Sequence, residues 1–351
     1  MEEKYMYRAL QLAQLGKGNV SPNPMVGAVI VHNGIIIGEG YHKKYGEPHA
    51  EVNAVASVKE EDKYLLSEAE MYVTLEPCSH YGKTPPCADL IVRNKLKKVY
   101  VCNLDPNPLV AGRGIKRIED AGIKVETKIL EKEGFEINKR FFKAMTKQLP
   151  YVMLKYAQTK DGFVARENFD SKWISNAQSR QLVHKMRAEE DAILVGRNTA
   201  QYDNPSLTVR DWTGHHPTRI VIDRYLKLPK DYHLFDQSVP TIVYNVQQNE
   251  TSDNLSYVLL PEENFFKSLL EDLFKRGLHS VIVEGGGFVL QEFIDQNLWD
   301  EAHVFTSSTA EFGKGVAAPQ LKNYQKESSR NILGDNYSIY YQKNRNCYGL
   351  K

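Results

Sequence analysis

Met71-Tyr72-Val73-Thr74-Leu75-Glu76-Pro77-Cys78-Ser79-His80-Tyr81-Gly82-Lys83-Thr84-Pro85-Pro86-Cys87 is the stretch on which the reading of the fold turns. Its first five residues make a short apolar run of strand length, and a helix is expected to open near Pro86, since proline is tolerated in a first helical turn. Between strand and helix stand two Pro-Cys pairs, with eight residues separating the thiols. Upstream, His49-Ala50-Glu51 opens another predicted helix, over about residues 49–59. Zinc favours imidazole and thiolate ligands, and a catalytic zinc keeps three protein ligands and one position open to water, which it acidifies. His49, Cys78 and Cys87 make such a set, and Glu51 is then placed for general acid/base work beside it. His80, between the two cysteines, keeps a structural four-ligand site open as the alternative. Cys102, in a predicted strand, and Cys347, in the tail, are expected to be bystanders.

Working outward, apolar residues at near-helical spacing predict a helix over 5–15, ended by Gly16 and Gly18. Short apolar runs at 26–31 and 35–38, split by Asn33-Gly34, predict a hairpin. A strand at 98–102, a helix at 114–121, a strand around Val125 and a helix at 130–143 follow. The polar run Thr146-Lys147-Gln148 before Pro150 is the best boundary, giving domains 1–147 and 148–351. Strands at 151–157, 192–195, 219–222, 241–244 and 281–283, with helices at 265–276 and 288–295, continue the alternation. Strand and helix in alternation predict the α/β class, here two three-layer α/β domains. The polar, weakly patterned segments 246–262 and 308–335 are expected to be loops or insertions.

Composition narrows the function. Hydrophobic residues are 42% and charged residues 25%, so disordered and fibrous classes drop out. The 45 Lys plus Arg against 44 Asp plus Glu leave a formal charge of +1 with no long run of one sign, which argues against a nucleic-acid partner. No apolar stretch approaches the length of a membrane span and the N-terminus lacks a secretory pattern, so a cytoplasmic protein is expected.

The metal segment resembles the zinc-dependent cytidine deaminase superfamily, departing from its common Pro-Cys-x-x-Cys spacing by the longer loop. With Asn23-Pro24-Met25-Val26-Gly27 upstream and Asp105-Pro106-Asn107-Pro108 downstream, it resembles the deaminase half of the bifunctional riboflavin-biosynthesis deaminase/reductase family. The resemblance implies a cytidine-deaminase-like N-terminal domain. It also implies a diaminopyrimidinone ribosylamino 5-phosphate substrate whose 2-amino group is replaced by oxygen. On the same basis His80 and Lys83 hold the ribose phosphate, Asn23 reads the base, and Asp105 and Asn107 are further substrate contacts. Asn23-Pro24 and Asp105-Pro106 are also ordinary turn dipeptides, which is the competing reading.

In the second half, Val281-Ile282-Val283 runs into Glu284-Gly285-Gly286-Gly287 and then a helix, a pattern that suits phosphate at a helix N-terminus or a plain tight connection. Lys155-Tyr156-Ala157, Lys160-Asp161-Gly162, Trp173-Ile174-Ser175, His184-Lys185-Met186-Arg187 and Asp203-Asn204-Pro205-Ser206-Leu207-Thr208-Val209-Arg210 resemble, in order, the reductase half of the same family, with a dihydrofolate-reductase-like fold. That resemblance implies an NADPH site lined by Ala157, Trp173, Thr199, Asp203, Gly286, Gly287, Phe288, Val289, Leu290, Gln291 and Glu292. Arg224 is the choice for the 2′-phosphate. Ser171, Arg187, Leu207, Arg210 and Glu284 are expected to face the substrate, with the two arginines suited to its phosphate. Lys155 or Asp203 would assist the proton step as a ring-opened imine accepts hydride. The whole reads as a Zn2+- and NADPH-dependent bifunctional enzyme acting on a small pyrimidine ribosyl phosphate, expected to be a dimer or tetramer. Two alternatives stand beside it: a nucleic-acid-editing deaminase with an accessory RNA-binding domain, and a non-catalytic zinc-stabilised binding protein.

Overall fold

The structure is a computed structural model that describes residues 3–81, 85–107 and 111–343. Two compact units meet in sequence between Lys147 and Gln148.

The first unit contains α1 (Glu3–Gln14), β1 (Gly27–His32), β2 (Ile35–Tyr41), α2 (Ala50–Ser57), β3 (Glu70–Leu75), α3 (Cys87–Arg93), β4 (Lys98–Asn103), α4 (Arg113–Asp120), β5 (Lys124–Thr127) and α5 (Glu131–Lys147). Asn33 and Gly34 both take positive φ, 48° and 81°, and close the β1–β2 hairpin as a two-residue turn. The sheet runs β2-β1-β3-β4-β5, antiparallel across β2-β1-β3 and parallel across β3-β4-β5. Successive strand residues face opposite ways. Thus Ala28, Ile30, Met71, Val73, Val99 and Val101 pack with Ala50, Ala54, Ile91 and Ile118 of α2, α3 and α4. Val29, Val31, Tyr72 and Tyr100 pack with Tyr5, Met6, Ala9 and Leu10 of α1, so the sheet is covered on both faces.

The second unit holds β6 (Tyr151–Gln158), β7 (Phe163–Ala165), α6 (Ala177–Glu189), β8 (Ala192–Gly196), α7 (Arg197–Asp203), β9 (Thr218–Ile222), β10 (Thr241–Asn245), β11 (Glu250–Ser252), β12 (Leu255–Leu259), α8 (Phe265–Lys275), β13 (Ser280–Gly285), α9 (Gly287–Asp295), β14 (Glu301–Ser307), β15 (Val316–Ala317), β16 (Tyr324–Ile332) and β17 (Asp335–Gln342). Its ten-stranded sheet has the order β11-β12-β10-β9-β8-β13-β6-β14-β17-β16. The strands from β12 to β14 are parallel, and β11, β17 and β16 join antiparallel at the edges. Leu269, Leu270 and Leu273 of α8 and Phe293 of α9 cover one face. Val183 and Met186 of α6 and Ala200 of α7 cover the other.

Two segments expected to be loops are partly strands. Residues 246–262 contain β11 and β12, and residues 308–335 contain β15 and β16. The reason is burial: the first eight residues of β16 are exposed, so it carries no apolar alternation to read, and its strand conformation comes from pairing with β17. Such an edge can stay polar throughout.

Candidate active sites

The metal cluster is assembled where parallel strands end. β3 ends at Leu75 and delivers Cys78, α3 begins at Cys87, and His49 is the N-cap of α2 with no side-chain capping bond of its own. That leaves its imidazole for the cluster, where Nδ1 lies 3.6 Å from Cys78 Sγ and 3.3 Å from Cys87 Sγ. The three donor atoms all lie within 4.8 Å of one another. The Cys87 thiol and then His49 hold Cys78 down to about 4 against burial. Cys87 is pushed up by the neighbouring Cys78 and by burial. Two thiols competing for one negative charge beside an imidazole form a donor set that a dication completes, so zinc fits. Among the described residues His80 is not part of this cluster, and it is exposed. Among the described residues the cluster therefore has three donors, the number a catalytic zinc takes from its protein.

Glu51, in the first turn of α2, is buried beside the thiols. Burial, with the Cys78 thiolate next to it, pushes its carboxyl up to about 7. Such a group exchanges protons near neutrality, as an acid/base catalyst must.

Asn23 is held from two directions. The buried Asn138 side chain, at a kink in α5, bonds both Met25 N and Met25 O at 2.8 Å and so fixes the segment. His42, which the sequence reading passed over, is buried with Nδ1 3.2 Å from Pro48 O and Nε2 3.2 Å from the Asn23 amide. Donation from Nδ1–H to the carbonyl leaves Nε2 to accept from Asn23, which aims that amide. The His42 ring also stands edge-on to His49, 5.5 Å between centroids. Asp105 accepts from Asn107 N at 2.8 Å, so its carboxylate does shape a turn, and burial pushes it up to about 6. Lys83 and Cys347 lie outside the described residues.

The second unit opens a cavity of about 1060 Å³ at the carboxyl ends of β6, β8, β9 and β13. Ala157, Trp173, Thr199, Asp203, Arg224, Gly286, Gly287, Phe288, Val289 and Leu290 line it, as do Lys155, Ser171, Arg187, Leu207, Arg210 and Glu284. Gln291 and Glu292 do not. They lie a turn into α9, where Gln291 bonds Asp295 and the Gln320 backbone, and Glu292 accepts from Gln296.

Within the cavity the Arg187 fork pairs with Glu284, with Nε and Nη2 at 2.7 and 2.8 Å from the carboxylate. Burial favours the neutral carboxyl of Glu284, but Arg187 and Lys155 outweigh it and hold the group down to about 2. Lys155 Nζ lies 3.7 Å from Glu284, and burial, with Arg187 nearby, lowers its pKa. Asp203 accepts from Ser171 Oγ at 3.1 Å, tying that loop to α7. Arg210 remains exposed on the cavity, its backbone N–H given to His184. Arg197 and Lys227, not singled out from the sequence, line the same cavity.

Hydrolytic deamination at the first centre and nucleotide-dependent reduction in the second cavity are the class of activity these two sites define. The family described as the cytidine and deoxycytidylate deaminase zinc-binding region matches residues 1–103, and the RibD C-terminal domain matches residues 150–328. The chain belongs to the RibD family: it is a bifunctional enzyme of riboflavin biosynthesis, a zinc-dependent deaminase and an NADPH-dependent reductase. It is 39% identical to the riboflavin biosynthesis protein RibD of Aquifex aeolicus over 98% of this chain and 99% of that one. With the Escherichia coli RibD it shares 38% over 87% of each. The Thermotoga maritima diaminohydroxyphosphoribosylaminopyrimidine deaminase/5-amino-6-(5-phosphoribosylamino)uracil reductase superposes with a TM-score of 0.89 at 37% identity, covering 97% of this chain and 98% of that one. Among the described residues no helix is long and apolar enough to cross a membrane.

Proposed function

We propose that the first unit deaminates 2,5-diamino-6-(5-phosphoribosylamino)pyrimidin-4(3H)-one and that the second reduces the resulting 5-amino-6-(5-phosphoribosylamino)uracil. The observation that carries the reading is the three-donor His49–Cys78–Cys87 cluster with buried Glu51 beside it. Zinc supplies Lewis-acid activation of water when bound. Glu51 accepts the water's proton as the oxygen bonds C2, and the water's two protons end on ring N1 and on the exocyclic nitrogen, so ammonia leaves as the C2–N bond breaks and C2=O forms. Asn23, steadied by His42, and Asp105–Asn107 hold the ring, while His80 and Lys83 hold the ribose phosphate.

In the second unit NADPH supplies hydride when bound. The amides at the start of α9 suit its phosphates, and Arg224 suits the 2′-phosphate. Arg224 stacks 4.6 Å over the Phe265 ring and has no carboxylate ion pair among the described residues, so its charge is available. Replacing Arg224 by Gln is expected to weaken NADPH binding about tenfold or more while leaving NADH binding unchanged, from the usual worth of a charge-assisted hydrogen bond. Fluorescence titration with both nucleotides checks this. Arg210 takes the substrate phosphate, and Lys155 gives a proton to nitrogen as the open-chain imine carbon accepts hydride and becomes the ribityl carbon.

A near-neutral charge favours a free nucleotide-like substrate over a polynucleotide, and the reading extends to a cytoplasmic enzyme working as a dimer or tetramer. The test follows ammonia and then NADPH in one cuvette. Zinc-loaded protein should release ammonia from the diaminopyrimidinone without NADPH, and NADPH added afterwards should be oxidised. Absence of ammonia from folded, metal-replete protein refutes the substrate assignment.

A further inference from the structure

We infer that Glu76 is a positioning residue of the deaminase site, joining the segment that carries Cys78 to the loop that carries Asp105 and Asn107. This rests on the substrate-reading role proposed for that loop. Glu76 follows the last residue of β3, and its carboxylate is buried. It accepts four backbone N–H groups from elsewhere in the unit. Oε2 takes those of Asp105 at 3.3 Å and Gly112 at 3.0 Å, and Oε1 takes those of Gly114 at 3.0 Å and Ile115 at 3.5 Å.

Three of those donors are at the start of α4, whose N-cap, Gly112, has no side chain to bond them. A carboxylate is the acceptor such a helix end favours, and here it comes from the residue that follows β3. The same helix abuts the ligand segment: a Cβ on Gly114 would fall 1.9 Å from Pro77 O, so only glycine permits the approach. From its next turn Arg117 reaches Asp89 of α3 at 2.5 Å and the Ser79 carbonyl at 3.5 Å. α4 is therefore docked on both sides of Cys78, and the fourth N–H, that of Asp105, ties the loop after β4 to the same carboxylate. Beyond the β3–β4 ladder, this carboxylate is the side-chain link between the loop and the segment that carries Cys78.

Glutamine at 76 keeps the shape but turns an NH2 toward a pair of N–H donors that then lack an acceptor. The Asp105–Asn107 loop is expected to shift, while the metal holds its own three ligands. In full-length zinc-loaded enzyme, Glu76→Gln should raise the deaminase KM roughly 10- to 100-fold, the scale of a buried unsatisfied amide. Zinc content and reductase turnover should stay at wild-type values. The decisive measurement is a cycle with Asn107→Ala. If Glu76 acts through the loop, Glu76→Gln added to Asn107→Ala should raise KM by less than about threefold. An unchanged KM in Glu76→Gln, or effects that multiply in full, overturns the inference. Asn107→Ala with no effect on KM overturns the loop's substrate-reading role and the inference with it, whereas an effect from Asn107→Ala and none from Glu76→Gln overturns the inference alone. Should Glu76→Gln fail to hold zinc, Glu76→Asp, which keeps the acceptor charge one methylene back, carries the same cycle with the same outcomes.

Discussion

Glu51→Gln is expected to lose ammonia release by about 10²–10⁴-fold, the usual worth of a positioned acid/base group, while binding zinc as before. The side chain is buried in the first turn of α2, and Gln has its size and shape, so the packing of Ala50 and Ala54 against the sheet is undisturbed. It is not one of the three clustered donors, so metal content should not fall. What Gln cannot do is take up a proton and give it back. Reductase turnover on the deaminated intermediate should match wild type, because the second cavity is lined by residues of the second unit alone. Metal analysis, ammonia assay and NADPH oxidation on one preparation test all three statements. Loss of zinc, or of both activities, in a folded variant contradicts the division of labour.

The parts of both sites that were legible in the sequence are those whose chemistry is local. His49, Cys78, Cys87 and Glu51 announce themselves because zinc restricts ligand type, and because a carboxylate two residues from a ligand sits in its neighbourhood whatever the wider fold. The strands of the two sheet interiors are legible for a similar reason, since burial on both faces leaves runs such as Val281-Ile282-Val283. Where a residue's role depends on a partner distant in the chain, the sequence is silent. The pairing of Arg187 with Glu284 spans 97 positions, and nothing local announces it. Glu76 works through backbone amides, which every residue but proline has, so no side-chain pattern marks it. His42 bonds one carbonyl and one amide and leaves no spacing rule behind. β16 shows the same limit in the fold, as an exposed strand defined by pairing has nothing apolar to display.

The two centres share a location rule that explains why each tolerates such charged groups. Cys78 and Asp105 follow β3 and β4, and Gly196, Asp223 and Glu284 stand at the ends of β8, β9 and β13. In parallel sheets these carboxyl ends open toward helix N-termini, a natural place for ligands. Side chains near these ends are buried enough for their pKa values to shift, as with Glu51 on α2 pushed up and Lys155 on β6 pulled down.

Lys155→Met is the corresponding test of the reductase. The ammonium sits 3.7 Å from Glu284, whose carboxylate is also gripped by the Arg187 fork. Removing Lys155 leaves that buried pair intact, so the fold and nucleotide binding should survive. Removing Glu284 instead would strand two buried cations, at a cost of about 3–5 kcal/mol, and is the poorer experiment. With the proton donor gone, single-turnover reduction of the deaminated intermediate is expected to slow by about 10²–10⁴-fold, with ammonia release unchanged. Lys155→Arg should fail as well, because a guanidinium keeps its proton at any working pH. The pH profile gives an independent check. A donor must be protonated, so wild-type kcat falls as pH rises through its pKa, and burial places that fall below the ordinary lysine range. The descending limb should vanish in Lys155→Met. A variant whose rate stays within about tenfold of wild type and keeps the limb would transfer the proton step to Asp203.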